Sequence, residues 1–250
     1  ITGCAVMTKV SGAIMAVPIM YTFIKRIFEV HKMEKKRWSG LFGKLVLFGI
    51  ISLPLGLWHP IRNLILFNQP LGGVLLPGDV LYVGQHSTVQ RFLSISFKEL
   101  FGQVYCVIPD NYNIFAYIVK CSILGEFTYN NNINIYVTFF KFVNLVIILT
   151  TVLCTFILTG KYKREDKNSF IIMILLITFF TNIISYYTFN VKYPYLCTMD
   201  FRYIVPTVFT GISTICIVLD KFMKKGIAKD IIEYMIILFC ILSFAFFFII

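Results

Sequence analysis

Charge is scarce in this chain: only 14% of its 250 residues are Asp, Glu, Lys or Arg, against 58% hydrophobic ones. A water-soluble single-core domain cannot hide that balance, so the solvent for much of the surface is lipid. Acidic residues are the scarcer sign, 12 against 23 basic ones. The seven cysteines (Cys4, Cys106, Cys121, Cys154, Cys197, Cys216, Cys240) form no close CxxC pair, which supports neither a metal site nor a disulfide framework. Walker-type glycine loops, HExxH and GxSxG with triad partners are missing too, which argues against ATP-driven transport and serine or zinc proteolysis. The chain opens at Ile1 without a charged n-region and closes at Ile250 inside a Phe/Ile run. The expectation is a C-terminal fragment of a longer protein.

What is present is a series of apolar runs, each about the length that carries a helix across a hydrocarbon core of roughly 30 Å. They can be drawn at Ala5 to Ile24, Leu41 to Trp58, Ile135 to Thr159, Ser169 to Phe189, Ile204 to Leu219 and Ile231 to Ile250. The fold class expected is therefore all-α integral membrane, about six transmembrane helices in a single polytopic domain over residues 1–250. Three connectors are basic. The first holds Lys25, Arg26, Lys32, Lys35, Lys36 and Arg37; the second Lys161, Lys163, Arg164 and Lys167; the third Lys221, Lys224, Lys225 and Lys229. They alternate with unenriched connectors, so the positive-inside rule puts them in the cytoplasm and puts a large loop (59–134) and a short loop (190–203) outside. This clustering reads the net charge of +11 as topology rather than as a nucleic-acid surface. Within the large loop, Val89, Phe92, Leu93, Ser96, Phe97 and Leu100 mark Thr88 to Phe101 as an amphipathic stretch suited to an interface, and a second helix is expected over Ile114 to Leu124.

Candidate functional residues lie at the outer edge. Lys9, in Thr8-Lys9-Val10-Ser11-Gly12, reads either as a lysine snorkelling to the headgroups or as an anion ligand. In Asp200-Phe201-Arg202-Tyr203, an acid, a guanidinium and a phenol lead into a helix that Pro206 helps to start. Arg202 suits bidentate phosphate contact and Asp200 can orient it; plain interfacial anchoring is the other reading. Trp58, His59, Pro60, Ile61, Arg62 and Asn63 place a histidine and an arginine at the head of the large loop, His59 as ligand, base or simply a hydrogen-bonded side chain. His86, Asp79, Asp110 and Glu126 match no metal motif, and Lys141 and Asn144, one turn apart in the third span, suit hydrogen bonding to neighbouring helices.

The stretch Gly3-Cys-Ala-Val-Met-Thr-Lys9 with Ser11-Gly12 and Pro18 resembles the G-x-A-x-L-T-K-x-x-G…P segment of protein-mannosyltransferase-like membrane glycosyltransferases. Asp200-Phe-Arg202-Tyr203-Ile-Val-Pro206 resembles their R-Y-x-x-P segment. Both belong to the glycosyltransferase-C superfamily, which also holds aminoarabinose transferases of lipid A, and the resemblance runs from Gly3 to about Leu219. It implies transfer of a sugar from a polyprenyl-phosphate donor to an extracytoplasmic acceptor (glycan, lipid or protein), with inversion at the anomeric carbon. The family's acidic residue in the first external loop has no counterpart here, so the catalytic residue is unknown and expected upstream of Ile1. Lys9, Arg62 and Arg202 become candidates for the donor phosphate, with Asp200, Tyr203 and His59 in support. No metal site and no cofactor are called for, a divalent ion being left open; nucleic acid is not an expected partner, membrane lipids are. The absence of Asn-x-Ser/Thr sites in the outer loops leans toward a bacterial plasma membrane, active site outward. The rival readings are a polytopic transporter or lipid-carrier flippase, and a membrane scaffold that binds a partner protein.

Overall fold

The computed structural model describes residues 10–33, 38–68, 81–95, 97–102, 105, 112–125, 133–162, 168–223 and 226–249. Among them the regular structure is helical throughout, apart from one isolated β-bridge. Four helices are long and apolar enough to cross a membrane. The chain divides into two compact units, 1–75 with 170–182 and 76–169 with 183–250.

In the first unit, a short 3-10 stretch, Val10–Met15, leads into α1, Ala16–Met33. Pro18 sits in its first turn, where a missing N–H costs little. The apolar run expected from Ala5 to Ile24 thus becomes a helix that starts later and carries Lys25, Arg26 and Glu29; that charge load keeps α1 out of the four spanning candidates. Its Arg26 and Glu29 pair in the open at 3.1 Å. The next helix, α2, spans Trp38–Phe67, 30 residues, or about 45 Å at 1.5 Å per residue. It passes Trp58, where the sequence pattern had its end, because Ile61, Leu64, Ile65, Leu66 and Phe67 extend the apolar surface despite Pro54 and Pro60. Asn68 stops it in the left-handed region at φ 54°, its N–H donating to the Leu64 carbonyl at 3.0 Å. Phe23 of α1 meets Phe48 of α2 edge-on at 5.2 Å, and Tyr21 and Lys25 lie against Phe170.

The second unit begins with α3, Thr88–Leu93, a six-residue helix held at its start by a capping box: Gln90 N–H donates to Ser87 Oγ at 3.2 Å and Ser87 N–H to Gln90 Oε1 at 3.0 Å. The single amphipathic stretch expected over Thr88 to Phe101 is therefore broken. Ser94 leaves helical geometry, and one π-helical turn follows at Lys98–Gly102. Val89, Leu93 and Phe97 stand exposed, while Leu100 is buried. After it, α4, Ile114–Leu124, matches its expected bounds; Asn113 Oδ1 accepts the Ala116 N–H at 2.9 Å and Gly125, at φ 62°, supplies the terminating turn that a side chain would strain. Burial on most sides explains its largely apolar sequence, which Lys120 and Ser122 interrupt.

The long helix α5, Asn134–Gly160, carries the unit. Against it pack α4, α7 (Pro206–Lys221) and α8 (Ile227–Ile249). Phe140 of α5 meets Phe239 and Phe246 of α8, and the Tyr136 hydroxyl donates to the Leu242 carbonyl. At the contact with α7, Gly211 lies so close to α5 that a Cβ there would fall 2.5 Å from Thr151 Cγ2. Thr207, Thr210 and Thr214 are buried on the same stripe and donate back to carbonyls of their own turn, so hydroxyls enter the apolar interface already satisfied. With 16 residues and Asp220 and Lys221 at its end, α7 is not among the four helices that are long and apolar enough by themselves to cross a membrane. Between the units in sequence runs α6, Ser169–Lys192, whose residues 170–182 group with the first unit and 183–192 with the second.

Candidate functional site

Two connectors of the second unit meet by backbone pairing. Val83 N–H donates to the Pro194 carbonyl and Leu196 N–H to the Leu81 carbonyl, both at 2.9 Å, around an antiparallel Tyr82–Tyr195 bridge. Val83, Ile114, Tyr117, Tyr186, Leu196, Met199 and Ile204 form one buried apolar cluster beneath that junction. The pairing helps to fix the shape of the short 193–205 connector, whose only regular structure is two 3-10 turns, Leu196–Met199 and Phe201–Tyr203.

On this connector stand the acid and guanidinium that the sequence singles out. Asp200 is buried, and its Oδ1 accepts the Arg202 N–H at 2.7 Å, closing the 3-10 turn Phe201–Tyr203. The other carboxylate oxygen lies 3.5 Å from Arg202 Nε. One acid thus fixes both the backbone and the side chain of the arginine. Just over half of the Arg202 side chain, 52%, remains exposed. Its guanidinium lies 5.5 Å from the Tyr203 ring centre, and Tyr203 rests on Phe189 of α6 at 5.5 Å. The arrangement holds a half-exposed cation at the head of α7.

The remaining candidates are distributed differently. His59 and Arg62 belong to the first unit, inside α2 rather than in a loop, because the apolar face of that helix runs on beyond them. Arg62 is exposed, and His59 Nδ1 faces Asn63 Nδ2 at 3.4 Å, one turn along the same helix. Lys9, Asp79, Asp110 and Glu126 lie outside the described residues. His86 stacks on Tyr112 at 3.9 Å. Among the described residues no group of three or more His, Cys, Asp or Glu could hold a metal ion.

Three cations that the sequence pattern did not mark as a site are buried in the second unit: Arg91 at 2% exposure, Lys120 and Lys141 at 0%. Lys141 Nζ donates to the Leu100 carbonyl at 3.2 Å, and its neighbour Asn144 donates to Val119 O at 3.1 Å and Ser122 Oγ at 2.7 Å, so both reach across to adjacent segments. Arg91 donates from Nη2 to the Asn190 carbonyl at 3.0 Å in the last turn of α6, where carbonyls lack helical partners and carry partial negative charge. Its Nε finds no acceptor among the described residues. Burial pushes the guanidinium pKa below its ordinary value, against the opposing pull of Tyr186 and Tyr82. The only sequence signal for Arg91 was a charge within a stretch otherwise suited to an interface; for Lys120 it was a lone lysine inside an apolar helix. Comparison of the chain with protein families, curated proteins and solved structures finds no match.

Proposed function

We propose that the chain carries the donor site of a membrane glycosyltransferase that moves a sugar from a polyprenyl-phosphate carrier to an extracytoplasmic acceptor. In this reading six membrane helices, α1 and α7 included, place the 59–134 and 190–203 segments outside, and the membrane is a bacterial plasma membrane. The observation that carries it is the Asp200–Arg202 turn: a half-exposed guanidinium, oriented by a buried carboxylate, at the start of a helix. A lipid-linked phosphate requires such a cation at headgroup level. During transfer the acceptor oxygen bonds to the anomeric carbon, the carbon–oxygen bond to phosphate breaks, and the electron pair leaves on the phosphate; the acceptor proton goes to a general base. A cation that strengthens its hold as that charge grows lowers the barrier as well as binding the donor. An apolar groove of about 620 Å³ in the same unit, lined by Phe101, Ile135, Phe139 and Phe142, suits an isoprenoid tail.

The test is sugar transfer by the intact protein from a polyprenyl-phosphate donor. Replacing Arg202 by Ala is expected to cost about 10²-fold or more in kcat, the scale of one preorganised charge-stabilising donor. Wild-type turnover in that variant would sink the assignment. The transporter or flippase reading draws support from Lys120 and Lys141, charges buried within the unit instead of at its edge. Uptake or lipid translocation in proteoliposomes without covalent sugar transfer would favour it.

A further inference from the structure

We infer that Arg91 is a positioning residue for Arg202, a role that rests on the phosphate-binding reading of Arg202. The contact joins residues 99 positions apart, from the six-residue α3 to the last turn of α6. From Asn190 the connection continues in both directions along the site. Asn190 Nδ2 donates to the Tyr186 carbonyl at 2.9 Å, and its Oδ1 lies 3.1 Å from Thr198 Oγ1, which also faces the carbonyls of Tyr193 and Tyr195 at 2.7 Å. The Tyr186 hydroxyl donates to the Met199 carbonyl at 2.6 Å. Thr198 and Met199 directly precede Asp200, whose carboxylate sets Arg202. Every step from Arg91 to Arg202 is therefore a hydrogen bond or one or two peptide units.

Fold stability alone gives no reason for an arginine here. Burying a guanidinium beside a carbonyl, with no carboxylate and no Nε acceptor among the described residues, is costly, and an apolar side chain of similar length would fill the same space without that cost. What an apolar residue cannot do is hold the Asn190 carbonyl in one direction and tie α3 across the end of α6. The Tyr82–Tyr195 bridge secures the other side of the same connector. Arg91 and the bridge together clamp the 193–203 segment between them, and the orientation of Arg202 depends on that clamp.

The experiment uses the intact protein in nanodiscs, with Arg91→Met, which keeps the volume and removes the charge, and Arg91→Lys as a second variant should the first fail to fold. Backbone hydrogen exchange is read in 194–203. About tenfold faster exchange is expected there, the equivalent of one charge-assisted hydrogen bond, with exchange in α5 and α7 unchanged. Wild-type exchange in a folded variant overturns the clamp. Sugar-transfer kinetics supply the second readout: donor KM is expected to rise about tenfold in Arg91→Met, and methylguanidinium to restore it in Arg91→Ala. Faster exchange with unaltered kinetics overturns the positioning role. Faster exchange in a protein whose wild type transfers no sugar leaves the clamp standing and removes the glycosyltransferase reading instead.

Discussion

Replacing Gly211 by Ala probes the closest helix contact in the second unit. The added Cβ would sit 2.5 Å from Thr151 Cγ2, where carbon–carbon contacts are ordinarily about 3.5–4.0 Å. Either α7 moves away from α5 by about 1 Å or Thr151 turns. Turning is resisted, because Thr151 Oγ1 donates to the Ile147 carbonyl at 2.9 Å. Overpacking of this kind costs about 1–3 kcal/mol, and the gain in helix propensity from Gly to Ala returns about 1 kcal/mol, so a net loss of up to about 2 kcal/mol is expected. Reversible unfolding in mixed detergent micelles measures it. Repeating the change in a Thr151→Ser background is the decisive arm: the hydroxyl and its bond remain while the methyl group is gone, so Gly211→Ala should there be neutral or stabilising. The same loss in both backgrounds would refute the steric argument.

Phe140→Ala removes a ring that touches Phe239 and Phe246 and should cost about 3–5 kcal/mol in the same unfolding assay; a loss under 1 kcal/mol would mean that α8 does not depend on this contact. Asn144→Leu strips the bonds to Ser122 Oγ and Val119 O and should cost about 1–3 kcal/mol, with Ser122→Ala largely additive only if the two side chains do not act as a pair. For Arg91 the sign with pH is defined. Its folded pKa lies below the ordinary value, so the unfolded chain binds the extra proton and stability rises with pH, but only in the strongly alkaline range where a guanidinium titrates. The stability difference between wild type and Arg91→Met should therefore be flat through neutral pH, and a slope there would point to another titrating group.

Hydropathy made the long helices legible, because a continuous apolar surface is itself the physical cause of α5, α6 and α8. It misplaced the end of α2 for the same reason: His59 and Arg62 look like a boundary, but the apolar face continues beneath them to Phe67. It joined Thr88 to Phe101 into one helix, whereas Ser94 turns the backbone away. In the site, Asp200 and Arg202 were legible because the interaction is local, two residues apart in one turn. Arg91 was not, since its meaning comes from a carbonyl 99 residues away, and periodicity carries no information at that range. Lys120 shows the limit from the other side: a charge inside Ile114–Leu124 signals something, but its burial on every side depends on α5 and on the segments around it.

The pairing of Leu81 and Val83 with Pro194 and Leu196 also sets a timetable for synthesis. At roughly 5–20 residues per second, the ribosome needs about 5–20 s to make the hundred or so residues that separate these partners. Throughout that interval α3 has been made but its Asn190 contact does not yet exist, and Val83 and Arg91, buried in the finished protein, lack the later segments they pack against. A nascent chain halted before Pro194 should therefore be far more open to protease at 81–95 than one released after Tyr203, so a segment made early takes its final form only once a much later one has emerged.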